Sequence, residues 1–219
     1  MKFLVLQGHD GKLDFSDLSE SSYRVYAQRH GYDYHCDHFS ERHGKVNGVH
    51  PSWKKLPLLE FVLNAGVHTW IFWADTDSVV TFYPRTLVSF ITQEIPVENP
   101  WLLVSRDWSE SSSLWSAGVM LMRTCDESLD FIREAQKHTN YMNSGCWDQS
   151  AMHAVCEEKP AMARGIRVLP RRLLQSVPQE CSQGVLAPWQ PGDFIAHATG
   201  MFNDEKRKVL EQYDARAIR

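Results

Sequence analysis

The sequence predicts an α/β fold with a mostly parallel central sheet covered by helices on both faces. Two observations predict it. Short apolar runs alternate along the chain with segments whose apolar residues recur at helical spacing, as in successive β–α–β units. One of those runs, Trp70-Ile71-Phe72-Trp73-Ala74, is apolar throughout and bounded by polar residues, as a strand buried on both faces should be. A chain of 219 residues is long enough to build one such domain with a substantial core. No linker, repeat or low-complexity tract divides it, so residues 1–219 are expected to form a single domain, alone or as part of a longer chain.

The elements follow in order. Phe3 to Leu6 reads as a short buried strand stopped by Gly8 and Gly11. A helix is expected from about Asp17 to Arg29, ended by Gly31, and Tyr32 to Cys36 is a second strand. Asp37 to Ser52 is polar and rich in His and Gly, which predicts a loop. Trp53, Leu56, Leu59 and Leu63 share one face of a helix running to about Asn64, with Pro57 in its first turn. Trp70 to Ala74 is the third strand, and Pro84 is expected to open a short helix carrying Leu87, Phe90 and Ile91. Trp101 to Val104 and Ala117 to Met122 read as strands. Thr124 with Glu127 has the capping-box pattern for a helix carrying Leu129, Ile132 and Ala135. A helix from Trp147 to Cys156, strands at Ile166 to Leu169 and Phe194 to His197, and a C-terminal helix complete the set.

Composition narrows the function. The chain is 43% hydrophobic and 23% charged with mixed signs, a soluble globular profile. A net charge of -4 gives nucleic acid no electrostatic reason to bind. Five cysteines, an odd number without a C-x-x-C pair, predict a reducing compartment rather than a disulfide framework. The apolar start Phe3-Leu4-Val5-Leu6 is too short for a signal segment or a membrane span, so the expectation is a soluble, cytoplasmic protein.

The chemistry-bearing feature is Asp75-Thr76-Asp77, directly after the most apolar strand. In open α/β sheets ligands gather beyond the carboxyl ends of strands. Two carboxylates at i and i+2 on an extended segment point to one side and offer hard oxygens suited to Mg²⁺ or Mn²⁺. Such a cation can bridge two phosphates and neutralise a leaving diphosphate. The same letters also fit the first motif of a haloacid-dehalogenase-type phosphatase, in which the first Asp is a nucleophile. That chemistry needs a later acidic pair. Here Gly192-Asp193 is followed by Phe194, Ile195, Ala196 and His197, without the second acid. A carbohydrate-binding module without catalysis is a third class, since eight Trp and seven Tyr suit sugar faces as well as a core. His35, Cys36, His38, His43 and His50 also lie close in sequence, but one cysteine at this spacing matches no standard zinc finger. This His-rich stretch is a candidate to fold over a bound nucleotide.

An ordered series of segments resembles glycosyltransferase family 34. It runs through Tyr26-Ala27, Gly31 to Asp37, Trp53 to Leu59, Trp70 to Asp77, Ala117-Gly118-Val119 with Arg123, Trp147 to Ala151, Val168-Leu169-Pro170 and Gly192 to His197. The resemblance implies a GT-A fold, a nucleotide-sugar donor such as a UDP-sugar, a glycan acceptor, Mn²⁺ (or Mg²⁺) and a retaining outcome. It implies that Asp75, Asp77 and His197 are metal ligands. It assigns Gln7, Gly8, Lys55, Thr76 and Gly200 to the donor, Lys55 as a phosphate partner with Lys54 as its alternative. Gln7 and Gly8 would act through their backbone, although Gly8 also reads as an ordinary turn glycine. Asp148 and Gln149 are implied beside the sugar and the acceptor, although Asp148 also reads as a helix N-terminal charge. Family members commonly carry Asn where this chain has Ser116, which leaves the donor sugar open. Compact members without a membrane segment occur in large algal viruses, and the chain resembles those more than Golgi enzymes.

Overall fold

The computed structural model describes residues 1–11, 13–39, 48–93, 99–108, 115–181 and 185–219. Its main sheet has six strands in the order β2-β1-β3-β6-β5-β7. These are β1 (Phe3–His9), β2 (Asp33–His38), β3 (Trp70–Ala74), β5 (Leu102–Ser105), β6 (Ser116–Arg123) and β7 (Ile166–Leu169). A second sheet of two strands pairs β4 (Ser78–Val80) with β8 (Ile195–His197). The α/β fold with helices on both faces is as expected. Direction is more mixed than expected: β1 pairs parallel with β2 and β3, and β5 with β7, but β6 runs antiparallel to both β3 and β5.

One face of the sheet carries Leu4, Leu6, Ile71, Trp73, Met120 and Met122 under α2 (Lys55–Ala65), α4 (Asp126–Lys137) and α5 (Asp148–Glu158). The other carries Phe3, Val5, Trp70, Phe72, Val119 and Leu121 under α1 (Ser16–His30) and α3 (Leu87–Gln93). The alternation explains why β3 is apolar at every position: odd and even residues are both buried, each large side chain contributing roughly 1.5–3 kcal/mol. The β4–β8 ribbon sits over α7 (Asn203–Asp214), where Val79, Ala196 and Ala198 meet Val209, Leu210 and Tyr213.

Several boundaries move for local reasons. Pro84 lies in a turn, and α3 starts at Leu87, with the Ser89 N–H donating to Thr86 Oγ1 at 3.2 Å. The cap of α4 is one residue later than the Thr124/Glu127 pattern: the Cys125 N–H donates to Ser128 Oγ at 3.3 Å. A 3-10 turn, Pro51–Lys54, leads into α2, and a short α6 (Pro160–Ala163) follows α5. The predicted loop Asp37 to Ser52 is partly strand, since Asp37 and His38 extend β2; its residues 40–47, including His43, lie outside the described residues. Among the described residues His35, Cys36, His38 and His50 do not form one group. Cys36 and His38 instead approach His9 and Glu20. The His9 ring accepts the Gly11 N–H at Nδ1 (2.9 Å) and therefore donates from Nε2 to Glu20 at 2.8 Å, which closes that group as a hydrogen-bonded pair.

Candidate functional site

The carboxyl end of β3 and the amino end of antiparallel β6 meet at one edge, where the Asp75 N–H donates to the Gly118 carbonyl at 2.8 Å. Asp75 and Asp77 lie on a turn between β3 and β4, not on the extended segment expected. They converge all the same because β4 folds back against β8, whose last residue is His197. Ligand atoms of Asp75, Asp77 and His197 lie within 4.8 Å of one another. Two carboxylates and an imidazole are a donor set that suits Mn²⁺ or Mg²⁺ with room for water and phosphate oxygens.

Each ligand is held from behind. The Trp73 indole N–H donates to Asp75 Oδ1 at 2.7 Å. Gln175 Oε1 accepts from His197 Nδ1 at 2.8 Å, which directs Nε2 to the site; Nε2 lies 3.0 Å from Asp77 Oδ1. Gly118 makes space for the ring, since a Cβ there would sit 2.1 Å from His197 Cε1. Gly118→Ala is therefore expected to displace His197 and weaken Mn²⁺ binding at least about tenfold, read by calorimetry, with the melting curve showing a folded protein. Unchanged Mn²⁺ affinity would remove His197 from the ligand set.

Lys55 is buried between two carboxylates. Its Nζ lies 2.9 Å from Asp75 Oδ1 and 2.8 Å from Asp148 Oδ2, and it donates to the Ala117 carbonyl at 2.9 Å. The ammonium thus faces two carboxylates and a carbonyl, with its one hydrogen bond to Ala117 and ion pairs to Asp75 and Asp148. Burial alone would lower the Lys55 pKa, but the two carboxylates outweigh it and hold the ammonium charged. Burial, with the nearby Asp75 charge, pushes the Asp148 carboxyl up to about 6 against the pull of Lys55. Lys54, the alternative, is half-buried, with its Nζ 5.9 Å from the Phe39 ring centre.

Asp148 begins α5, aimed by Trp147. That residue takes a left-handed φ of 46°, which costs a non-glycine about 1–3 kcal/mol, and its ring stacks 3.7 Å from His50. Gln149 is fixed at both ends: its Oε1 accepts the Ala117 N–H at 2.9 Å and its Nε2 donates to Asp107 Oδ2 at 3.2 Å. Gln7 is buried, its Nε2 donating to Ser19 at 2.9 Å and its Oε1 accepting from Tyr34 at 3.0 Å, so only its backbone is left for a ligand. The space that Gly8 leaves is filled by Phe39, whose ring would lie 2.5 Å from an added Cβ. Thr76 is buried within the turn, and Gly200 is exposed beyond β8, near Trp108.

Two residues went unread in the sequence. Lys206, in the first turn of α7, places Nζ 2.6 Å from Asp77 Oδ2. With His197 it outweighs the burial that would raise the Asp77 pKa and holds that carboxyl well below the usual range. A signal was present: a lysine in the first turn of a helix opposes the helix dipole. Asp107, just past β5, had none, because its role depends on meeting Gln149. Asp193, the one acid present of the pair a phosphatase would need, is paired in bidentate fashion with Arg172 at 2.8 Å through both oxygens.

This sheet, with a candidate cation site at its carboxyl edge, has the GT-A architecture. The chain belongs to the nucleotide-diphospho-sugar transferase family, whose model matches residues 18–210. A glycosyltransferase involved in glycosylation of the major capsid of PBCV-1 is similar in structure, with a TM-score of 0.73 at 15% identity over 96% of this chain and 100% of that one. The glycosyltransferase GlyE of Streptococcus pneumoniae TIGR4 superposes with a TM-score of 0.59 at 15% identity, over 98% of this chain and 60% of its own length. The galactosyltransferase LgtC, solved with donor and acceptor sugar analogues, gives 0.52 at 12% identity over 96% and 95%. At these identities the likeness is one of fold. No curated protein matches the chain in sequence. Among the described residues no helix is long and apolar enough to cross a membrane.

Proposed function

We propose that the protein transfers a sugar from a UDP-sugar to a carbohydrate hydroxyl with Mn²⁺ as cofactor and with retention of configuration, as family 34 members do. The observation that carries this reading is the convergence of Asp75, Asp77 and His197 from separate segments at the carboxyl edge of the sheet. Bound there, the cation would neutralise the charge that develops on the departing nucleoside diphosphate. The protein's own residues do the rest. Lys55 holds Asp75 and Asp148 in place. Asp148 and Gln149 hold the sugar and the acceptor hydroxyl, Gln7 and Gly8 meet the nucleoside through their backbone, and Thr76 and Gly200 border the donor. Lys55 and Lys206, which flank Asp75 and Asp77, supply the diphosphate with positive charge. No observation favours the phosphatase: the second acid of its later pair is missing from the sequence, and Asp193 is paired with Arg172.

UDP-sugar hydrolysis or transfer is expected to fall at least about a thousandfold in EDTA or in Asp75→Ala/Asp77→Ala, and to return on adding Mn²⁺ only to the wild type. Full activity in EDTA would sink the metal role. Turnover of p-nitrophenyl phosphate would revive the phosphatase, and saccharide binding without nucleotide-sugar binding would support the non-catalytic module.

A further inference from the structure

The roles above leave unused a cleft next to the cation site, lined among others by Arg106, Trp108, Ser116, Arg171, Gln175 and Thr199. Gln175 is also the residue that holds His197, so a single side chain separates the cleft from the candidate metal ligands. Ser116 opens β6, two residues before the glycine beneath the His197 ring.

The charge balance in this cleft is uneven. Arg106 is exposed just past β5, anchored by its backbone N–H on the Leu169 carbonyl at 2.9 Å. Among the described residues its guanidinium pairs with no acceptor. Arg171 engages only Nε, on the Asp107 carbonyl at 2.6 Å. The third arginine, Arg172, is neutralised by Asp193. The Asp107 carboxylate is turned elsewhere: its Oδ1 accepts the Trp108 N–H at 2.6 Å and its Oδ2 accepts from Gln149 at 3.2 Å. Among the described residues neither guanidinium has a carboxylate partner, in a chain with a net charge of -4. Such forks match carboxylate and phosphate oxygens in bidentate fashion. The half-buried indole of Trp108 adds an apolar face, and Ser116 and Thr199 add hydroxyls.

We propose that the mouth of this cleft is the acceptor subsite and that the acceptor sugar carries an anionic group, a carboxylate or a phosphate, which reaches Arg106 and Arg171 while the ring lies over Trp108. The assignment rests on the glycosyl-transfer reading and names the substrate class for it.

The test is calorimetry on the full chain with UDP and Mn²⁺ present, titrating methyl β-glucuronide, glucose 6-phosphate and neutral methyl β-glucoside. At least one charged sugar is expected to bind about tenfold or more tighter than the glucoside, a preference that shrinks in added salt. The two charged sugars tell carboxylate from phosphate. In Arg106→Gln/Arg171→Gln the preference is expected to drop below about twofold, and Arg106→Lys/Arg171→Lys should retain part of it, which separates lost charge from a damaged fold. Equal affinities for charged and neutral sugars, no measurable binding of a charged sugar at millimolar concentration, or a preference that survives the glutamine variant would overturn the proposal. A preference seen only between UDP-glucuronate and UDP-glucose would overturn it too, by moving the site to the donor. UDP with Mn²⁺ is first tested alone by thermal shift. No shift there is a failure of the transferase reading, whereas a shift without preference for a charged sugar is a failure of the acceptor assignment only.

Discussion

Replacing Lys55 with methionine lowers the midpoint of thermal unfolding by about 10 °C, and adding Asp148→Asn restores most of it. Lys55 is 2% exposed and is the shared cation of two carboxylates. Removing one member of a buried ion group typically costs about 3–5 kcal/mol, because the charge left behind has neither water nor a partner. In a chain of this size each kcal/mol moves the midpoint by about 2–4 °C. Asparagine at position 148 removes the stranded charge, so the double variant should approach wild type in stability without recovering transfer.

The same change has a predictable pH dependence. The folded-state pKa of Asp148 is already raised to about 6, and Lys55 is a force that lowers it. Without Lys55 it rises further, while the unfolded value stays near the ordinary carboxylate value of 3.8. Between those limits the native state holds a proton that the unfolded chain has released, so stability falls as pH rises through the window. Lys55→Met should therefore cost less at pH 5 than at pH 8. Scanning calorimetry at both values decides it: a midpoint loss under about 3 °C, or one independent of pH, would mean that the three groups are not electrostatically coupled as described.

How much was legible in the sequence depended on whether a residue's meaning is local. Trp70 to Ala74 was readable because burial on both faces leaves an unbroken apolar run. Strand direction was not, because β6 has the same apolar signature whether it runs parallel or antiparallel to β3. The ribbon was half visible: Phe194 to His197 stood out, but Ser78-Val79-Val80 is too short for an alternation to register, so His197 was read onto the main sheet. Asp75, Asp77 and His197 were picked out by motif and resemblance, and the fold brings them together through a turn rather than an extended pair. The burial of Lys55 was not legible, because an exposed lysine and a buried, ion-paired one are spelled alike. Lys206 and Asp107 went unread because their partners lie far away in the chain.

Lys206→Met should bind Mn²⁺ about tenfold more tightly without nucleotide, yet turn over UDP-sugar about a hundredfold more slowly. The two effects have opposite signs because Lys206 does two things. Its Nζ sits 2.6 Å from Asp77 Oδ2, with only 12% of its side chain and 17% of that of Asp77 exposed. A cation that takes Asp77 must first displace this ammonium, and removing the competitor favours the metal by about the worth of one partly buried ion pair, on the order of 1.4 kcal/mol. Once freed, the ammonium stands in the first turn of α7, beside the site where a diphosphate would lie. Losing a fixed positive charge at a developing anion costs about 2.7–4 kcal/mol of barrier, the loss read as slower turnover. Calorimetry with Mn²⁺ alone, then with UDP, gives the binding half, and steady-state hydrolysis gives the other. If Mn²⁺ affinity and turnover fall together, Lys206 only supports Asp77. If affinity rises while turnover holds, the diphosphate draws its charge from another residue.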